Sequence, residues 1–507
     1  MLLHLLLENT GISARQGTPD IDISAITNDS RQTVPGAIFF ALPGTKTDGY
    51  NFVRQALENG AAAIISAVDT PAELHAAFPK AVFLKTADLQ TALSKAAANF
   101  YGHPSRKIRI FGITGTKGKT TTAYLLENIL RLVGARPGII GTIDYRVDGR
   151  ILAPAANTTP LAHTLQELLA QMAAADALTA VMEVSSHALA LGRVEDVQFD
   201  CAIFTNLQSD HLDFHKDRET YFQAKARLFD LLEGSDKKNK YAVINTDDER
   251  AAWLLKRLKG KVHTITYGID NSSDFRAGSV EILAQNTRFT LKTAKETVPV
   301  TLNLLGRHNV YNALAAIAAA VTAGIPPRDA VNGVQALANV PGRLERVAAG
   351  QDFTVFVDYA HTGAALENVL SSLALMPHKR IITVFGCGGD RDRTKRAPMG
   401  AVSCALSDQA IVTSDNPRTE APDQIFSDIE RGIAGKFTNY EVIPDRKAAI
   451  TKAVTLAGKG DIILIAGKGH ETYQILGDRT VNFSDRETAA EAIREKLRET
   501  GTGEPKL

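Results

Sequence analysis

GITGTKGKTTT, residues 112–122, decides the reading of this chain. The run Lys107-Ile108-Arg109-Ile110-Phe111 leads into it. Beyond it, TTAYLLENILRLVG sets Leu125, Leu126, Ile129, Leu130 and Val133 at helical spacing. Strand, glycine loop and helix are predicted in that order. Gly115 and Gly118 carry no Cβ, so the backbone can close around an anion while the N–H groups of the loop and first helical turn point at it. Lys119 supplies a mobile positive charge for β- and γ-phosphates, and Thr120 a hydroxyl for Mg²⁺. The spacing is a variant of the common P-loop, which would place its first glycine at Ile113, whereas glycines stand at 112 and 115.

At 507 residues the chain has room for about three domains. Apolar residues make up 44% and charged residues 22%, as in an ordinary globular protein. A net charge of +1 gives no polyelectrolyte signal, so no nucleic-acid or membrane-surface partner is expected. Cys201, Cys387 and Cys404 are odd in number and widely spaced, which suits a reducing, cytoplasmic setting and no structural zinc. MLLHLLLENTG lacks a basic n-region and a cleavage site, and reads as a core-facing helix. The apolar tract at 313–325 is too short for a membrane span and reads as a buried helix.

Three α/β domains are expected. Residues 1–104 form a small unit with strands at 37–42, 62–67 and 81–85, and helices near 51–59 and 88–100. Two turn-rich stretches, ITNDSRQ and LPGTKTDGY, adjoin its strands and suggest a recognition surface. Residues 105–340 form a central P-loop-type domain with a largely parallel sheet, its later strands at 179–184, 200–207 and 240–245. Residues 341–507 form a doubly wound, Rossmann-like domain whose strands run into glycine-rich or charged loops within 353–363, 380–396, 409–420 and 461–471.

Chemistry collects at strand ends. In the central domain TAVMEV runs into Ser185-Ser186-His187, and AIFTNL into QSDHLDFH. Glu183 and His211, at the carboxyl ends of strands flanking the phosphate loop, could bind Mg²⁺ beside Thr120, while the Asp-His pair also suits a hydrolase base or, less well without a cysteine, a zinc site. RETYFQAKARLF reads as a helix with Phe222, Ala226 and Phe229 on its apolar face, and Lys225 beside that stripe as a solvated surface lysine. Asn309 and Asn312 fall at the start of the next long helix, as caps or base contacts. In the C-terminal domain GCGGDRDRTKR, DNPR and GKGHE bring Arg391, Arg393 and Arg418 together with Asp415, Asn416 and Glu471. That set suits a small zwitterion with carboxylate and ammonium groups.

These motifs, with NTTP at 157–160, YFQAKARLF, GRHNVYNALAA, PGRLE and VDYAHTG, together resemble the Mur ligases along the whole chain and in order. DNPR is similar to the motif of members that use meso-2,6-diaminopimelate rather than lysine. The resemblance implies an ATP-dependent amide ligase of peptidoglycan precursor synthesis. It would join diaminopimelate to the D-glutamyl γ-carboxylate of UDP-MurNAc-L-Ala-D-Glu through an acyl phosphate, as a monomer with small-molecule substrates. It implies that Thr120, Glu183, His211 and an N-carbamylated Lys225 hold magnesium. ATP would be held by Gly115, Thr116, Lys117, Gly118, Lys119, Thr120, Thr121, Asn309, Arg343 and Asp358. Asn157, Thr158, Thr159, Ser185 and Arg193 would bind the muramoyl peptide, with Asn28, Ser30, Thr45, Lys46 and Thr47 around the uridine. Arg391, Asp415, Asn416, Pro417, Arg418, Gly467 and Glu471 would bind diaminopimelate. The sequence departs from the family pattern at Lys117 (usually asparagine), Gly363 (proline), Leu191 (often glutamine) and Asn28 (commonly leucine).

Overall fold

The β-branched and apolar residues that precede the glycine loop form the strand Arg109–Thr114, and the helical spacing after it forms the helix Lys119–Leu132. The computed structural model describes residues 1–12, 20–44, 47–208, 210–283 and 285–499. It divides into two compact units. One comprises residues 1–278, 291–298 and 311–334, and the other residues 279–290 and 299–310 with the chain from Gln335 on.

The first unit holds two sheets. Strands Ala25–Thr27, Ala37–Phe40, Ala63–Ser66 and Val82–Lys85 pair in sequence order, all parallel. Leu3, Leu6, Ile38, Phe40, Ile65 and Leu93 pack into one core against them, so Leu3, Leu6 and Leu7 face inward while Leu2 and Leu5 stay exposed. In the second sheet Arg109–Thr114 lies between Cys201–Phe204 and Thr179–Glu183, parallel to both. The register pairs Thr114 with Phe204 and Ile113 with Glu183, so three strand ends open beside the glycine loop. Tyr241–Asn245 and His263–Gly268 continue the parallel set on one side. On the other side Gly138–Ile140 is followed by the antiparallel strands Asp144–Val147 and Arg150–Pro154, which the sequence reading did not assign.

Gly112 belongs to the strand and not to the loop. A Cβ there would stand 2.7 Å from Phe199 Cε1 and 3.1 Å from Leu228 Cδ1. The first glycine of the odd spacing is therefore a packing glycine, and only Gly115 and Gly118 serve the turn. Gly112→Ala should cost about 1–3 kcal/mol by overpacking a rigid sheet centre. Denaturant titration of the variant checks this, and an unchanged midpoint would refute it.

In the second unit the strand order is Glu345–Val347, Thr354–Asp358, Ile462–Ala466, Ile381–Phe385, Gln409–Val412 and Tyr440–Val442. All pairs are parallel except the first. Ile462–Ala466, Ile381–Phe385 and Gln409–Val412 are consecutive neighbours, so the loops that follow them meet at one sheet edge. Arg446 and Asp485, both fully buried, join the final helix to this edge: the guanidinium contacts the carboxylate at 2.7 and 2.8 Å and the Ala466 carbonyl at 2.9 Å. The alanine-rich tract runs along the helix Arg307–Thr322 as far as Thr322, and its residues Ala313 to Ala320, which belong to the first unit, are fully buried. Among the described residues no helix is long and apolar enough to cross a membrane.

Candidate active site

The phosphate loop is held by the neighbouring strand end. Asn206 accepts from Thr116 N (2.8 Å) through its carbonyl and from Lys117 N (3.0 Å) through Oδ1, while Thr205 Oγ1 and Asn206 Nδ2 donate to the Lys117 carbonyl (2.7 and 3.1 Å). Gly115 has φ +146° and Gly118 φ +89°. Side chains at these positions would overlap Thr205 Oγ1 and Asn312 Oδ1 respectively, so both the conformation and the space demand glycine. Lys119 Nζ folds back onto the carbonyls of Gly115 (2.9 Å) and Thr116 (3.1 Å). Lys117 pairs with Asp210 at 3.2 Å. Burial alone would raise the Asp210 carboxyl, but the positive charges of Lys117 and His211 hold it below the usual carboxylate range.

Thr120 Oγ1 donates to Glu183 Oε2 at 2.9 Å, and Thr142 adds its N–H (2.9 Å) and hydroxyl (3.1 Å) to the same carboxylate. Glu183 is 1% exposed and these donors are all uncharged. A buried anion with only neutral partners fits a site that takes up a cation. Among the described residues no three His, Cys, Asp or Glu side chains cluster to hold a metal by themselves. A hydroxyl and a carboxylate suit Mg²⁺, which completes its shell with phosphate oxygens and water. His211 lies in the loop beyond the strand Cys201–Phe204, just before the helix Leu212–His215, with φ +53°, its ring 4.9 Å from His187 and 6.2 Å from Tyr221 between centroids.

A second group of residues adjoins Glu183. Thr159 Oγ1 donates to the Glu183 carbonyl (2.8 Å) and receives Ser185 N (3.0 Å). Arg193 Nη1 reaches the Thr159 carbonyl at 2.9 Å, and burial lowers the guanidinium's pKa. Thr158 Oγ1 lies 3.1 Å from Thr142 Oγ1, and the Asn157 carbonyl accepts from Tyr145 Oη at 2.5 Å. Thr158, Thr159, Ser185 and Arg193 are thus one connected network. In the N-terminal sheet region Ser30 is buried on Gln55 Oε1 (2.7 Å), Asn28 is half-buried and Thr47 exposed; Thr45 and Lys46 lie outside the described residues.

Lys225 is not the solvated lysine its sequence context suggests. It is 1% exposed, because the helix Arg218–Glu233 buries Tyr221, Lys225, Leu228, Phe229 and Leu232 on one face. Its Nζ donates to the Gly115 carbonyl at 2.8 Å and sits 4.3 Å from the Tyr221 ring centroid. Burial first, then the charge of Lys119, drive its pKa well below the lysine norm; Asp210 opposes them and Lys117 adds a smaller push in the same direction. The result is an amine at the floor of a phosphate loop whose protonated form is disfavoured. The signal was present as i±4 neighbours Tyr221 and Phe229, both core residues, but a cation among them reads by default as snorkelling.

In the second unit Asp358 caps a turn, accepting from Leu344 N (2.7 Å) and Ala360 N (2.8 Å). The Arg343 guanidinium lies 5.2 Å from the Tyr359 ring centroid, and Asn309, 4% exposed, donates to the Leu305 carbonyl at 2.8 Å. The three C-terminal loops meet as expected. Arg418, at φ +54°, donates from Nη1 to the Gly389 carbonyl at 2.8 Å; its own N–H and carbonyl bond Ile475 (3.1 Å) and Gly477 (2.8 Å) of the hairpin Tyr473–Leu476 and Arg479–Asn482. Asn416 Nδ2 donates to Glu471 Oε2 at 2.9 Å. Pro417 packs so closely on Gly389 that a Cβ there would overlap its carbonyl, and a Cβ at Gly467 would come within 2.7 Å of Asp415 Oδ2. Arg391 is exposed at the rim. Arg393 does not face this cluster's ligand groups: it pairs with Glu420 at 2.7 Å, which Arg396 also holds. Sequence reasoning missed Lys468, Thr142 and Tyr221, whose roles arise from contacts across the fold.

The arrangement is that of an ATP-using ligase. Family descriptions match three segments: "Mur ligase family, catalytic domain" at residues 22–101, "Mur ligase middle domain" at 113–320 and "Mur ligase, glutamate ligase domain" at 342–469. The chain belongs to the Mur ligase family and has its three-domain α/β fold. It is 45% identical to the UDP-N-acetylmuramoyl-L-alanyl-D-glutamate–2,6-diaminopimelate ligase of Bacillus velezensis over 476 residues, 94% of this chain and 95% of the relative. It is similar to a solved structure of an enzyme of that same name, with a TM-score of 0.65, 33% identity and coverage of 94% and 95% of the two chains. The MurF ligase of Thermotoga maritima, solved with ADP, shares the fold at a TM-score of 0.61 and 20% identity, over 94% of this chain and 98% of that one.

Proposed function

We propose that this chain is the ADP-forming ligase that adds meso-2,6-diaminopimelate to the D-Glu γ-carboxylate of UDP-MurNAc-L-Ala-D-Glu in peptidoglycan precursor synthesis. A phosphate loop alone would serve any NTPase. The observation that carries the reading is the second cluster, where Arg418, Asp415 and Glu471 set both signs of charge at adjoining strand ends for a zwitterionic amine. Three buried, free cysteines suit the cytoplasm, where the nucleotide precursor would be made. Boundaries near 104 and 340 would separate the three domains.

A carboxylate is too poor an electrophile for an amine. The ATP γ-phosphoryl group would therefore pass to the D-Glu carboxylate, giving an acyl phosphate and ADP. The amine then attacks the acyl carbon and loses a proton, the tetrahedral intermediate expels phosphate, and an amide remains. The N–H groups of residues 115–121 cradle the phosphates, and Lys119 leaves its loop carbonyls to neutralise charge on the moving phosphoryl group. Thr120, Glu183, His211 and the carbamylated form of Lys225 would hold Mg²⁺, which supplies Lewis-acid stabilisation when bound. The neutral Lys225 amine is the form that takes up CO₂. Asn309, Arg343 and Asp358 would complete the nucleotide site. The network of Thr158, Thr159, Ser185 and Arg193, with Asn157, would orient the peptide acceptor; Asn28, Ser30, Thr45, Lys46 and Thr47 would surround the uridine. Arg391, Asp415, Asn416, Pro417, Arg418, Gly467 and Glu471 would take diaminopimelate.

Phosphate release tests the reading. ATP turnover should require both UDP-MurNAc-dipeptide and diaminopimelate, and turnover indifferent to either would sink it. Thr142→Val strips one hydroxyl from Glu183 and should raise the Mg²⁺ needed for half-maximal rate about tenfold. An unchanged Mg²⁺ titration would remove Glu183 from the metal assignment.

A further inference from the structure

Lys468 lies at the centre of GKGHE between Gly467 and Glu471, and its ammonium is fully buried. Burying a cation is costly unless it is matched. Here it is matched by three groups. Nζ donates to Glu471 Oε2 at 2.9 Å and to Asn416 Oδ1 at 3.1 Å, and stands 5.4 Å from the Tyr473 ring centroid. Asn416 is used on both sides: Oδ1 also accepts Ile475 N at 3.0 Å, while Nδ2 donates to Glu471 Oε2 at 2.9 Å. Two donors therefore fall on one carboxylate oxygen, Oε2, and neither on Oε1.

Resting on the diaminopimelate reading above, we propose that Lys468 is a positioning residue for recognition of the amino acid. It keeps Glu471 and Asn416 in one orientation and leaves Glu471 Oε1 for the substrate's ammonium group. Lys468 itself touches no substrate. Its turn makes this possible: Gly467 and Gly469 both have positive φ, and the Glu471 N–H closes on the Lys468 carbonyl at 3.0 Å, which folds the lysine inward and brings Glu471 back over it.

The test is a kinetic cycle on the purified full chain with Lys468→Met, Glu471→Gln and the double variant. Lys468→Met should raise the KM for diaminopimelate about tenfold or more, with the KM for ATP within about twofold of wild type. In the Glu471→Gln background the same change should add less than about twofold, because the carboxylate it positions is gone. Lys468→Arg, which keeps a buried cation, should restore part of the affinity. Independent, multiplicative effects in the double variant, or an unchanged diaminopimelate KM in Lys468→Met, would overturn the proposal. If Lys468→Met does not fold, Lys468→Gln takes its place in the cycle and is judged by the same coupling. A wild-type enzyme that makes no use of diaminopimelate would instead refute the underlying assignment, so the two failures are distinguishable.

Discussion

Lys225→Ala should lower kcat on the order of 10³-fold while leaving the KM for ATP nearly unchanged. The argument starts from burial. A lysine that is 1% exposed, with Lys119 and Lys117 acting against its charge, loses its proton more readily than a solvated lysine does. The unprotonated amine adds CO₂, releases a proton to solvent and becomes a carbamate, which places an anion beside the loop that receives ATP. Two observations separate this role from simple packing. Dialysis against CO₂-free buffer should remove activity, and bicarbonate should restore it. Intact-mass measurement under gentle conditions should show the gain of one CO₂ on the wild type and none on Lys225→Arg. Since the amine must be unprotonated to react, restoration by bicarbonate should slow as pH falls, and the lowered pKa moves that loss to lower pH than for a solvated lysine. A Lys225→Ala enzyme with near-wild-type turnover would exclude the role.

Arg418→Ala should reduce kcat/KM for diaminopimelate on the order of 10²–10³-fold, mostly through KM. Diaminopimelate carries a distal carboxylate that lysine lacks. A planar guanidinium can grip that carboxylate with two parallel hydrogen bonds, and its removal leaves a buried negative charge unpaired. The scaffold supports such a grip. Arg418 is held at φ +54° by backbone bonds to Ile475 and Gly477, and one side of its guanidinium is fixed on the Gly389 carbonyl. Arg418→Lys should recover only part of the loss, because an ammonium cannot reproduce the fork. Competition between diaminopimelate and lysine in the wild type is the companion measurement. Preference for lysine, or unaltered diaminopimelate kinetics in Arg418→Ala, would defeat the assignment.

The elements legible in the sequence were those whose local pattern and buried environment agree. Arg109–Thr114 and Lys119–Leu132 were readable because alternation, glycines and helical spacing adjoin within one short stretch. The four C-terminal strands were readable because each apolar run ends in glycine or charge. Asp144–Val147 and Arg150–Pro154 were not, since an edge hairpin is half exposed and carries no continuous apolar run. Gly112 was counted with the loop because a packing glycine and a turn glycine look alike until Phe199 is placed beside it.

By itself the sequence determined the order of three α/β units, the variant phosphate loop, and the collection of charges at strand ends. Those properties follow from residue type and spacing along the chain. Only the tertiary structure decided which charges are solvated and which are not. Lys225 and Lys468 look like ordinary surface lysines in one dimension. One is buried against Gly115 across 110 positions of chain, and the other against Asn416 across 52. Desolvation depends on what the fold brings near a group, so the chemistry of both lysines was settled by strand order and helix packing.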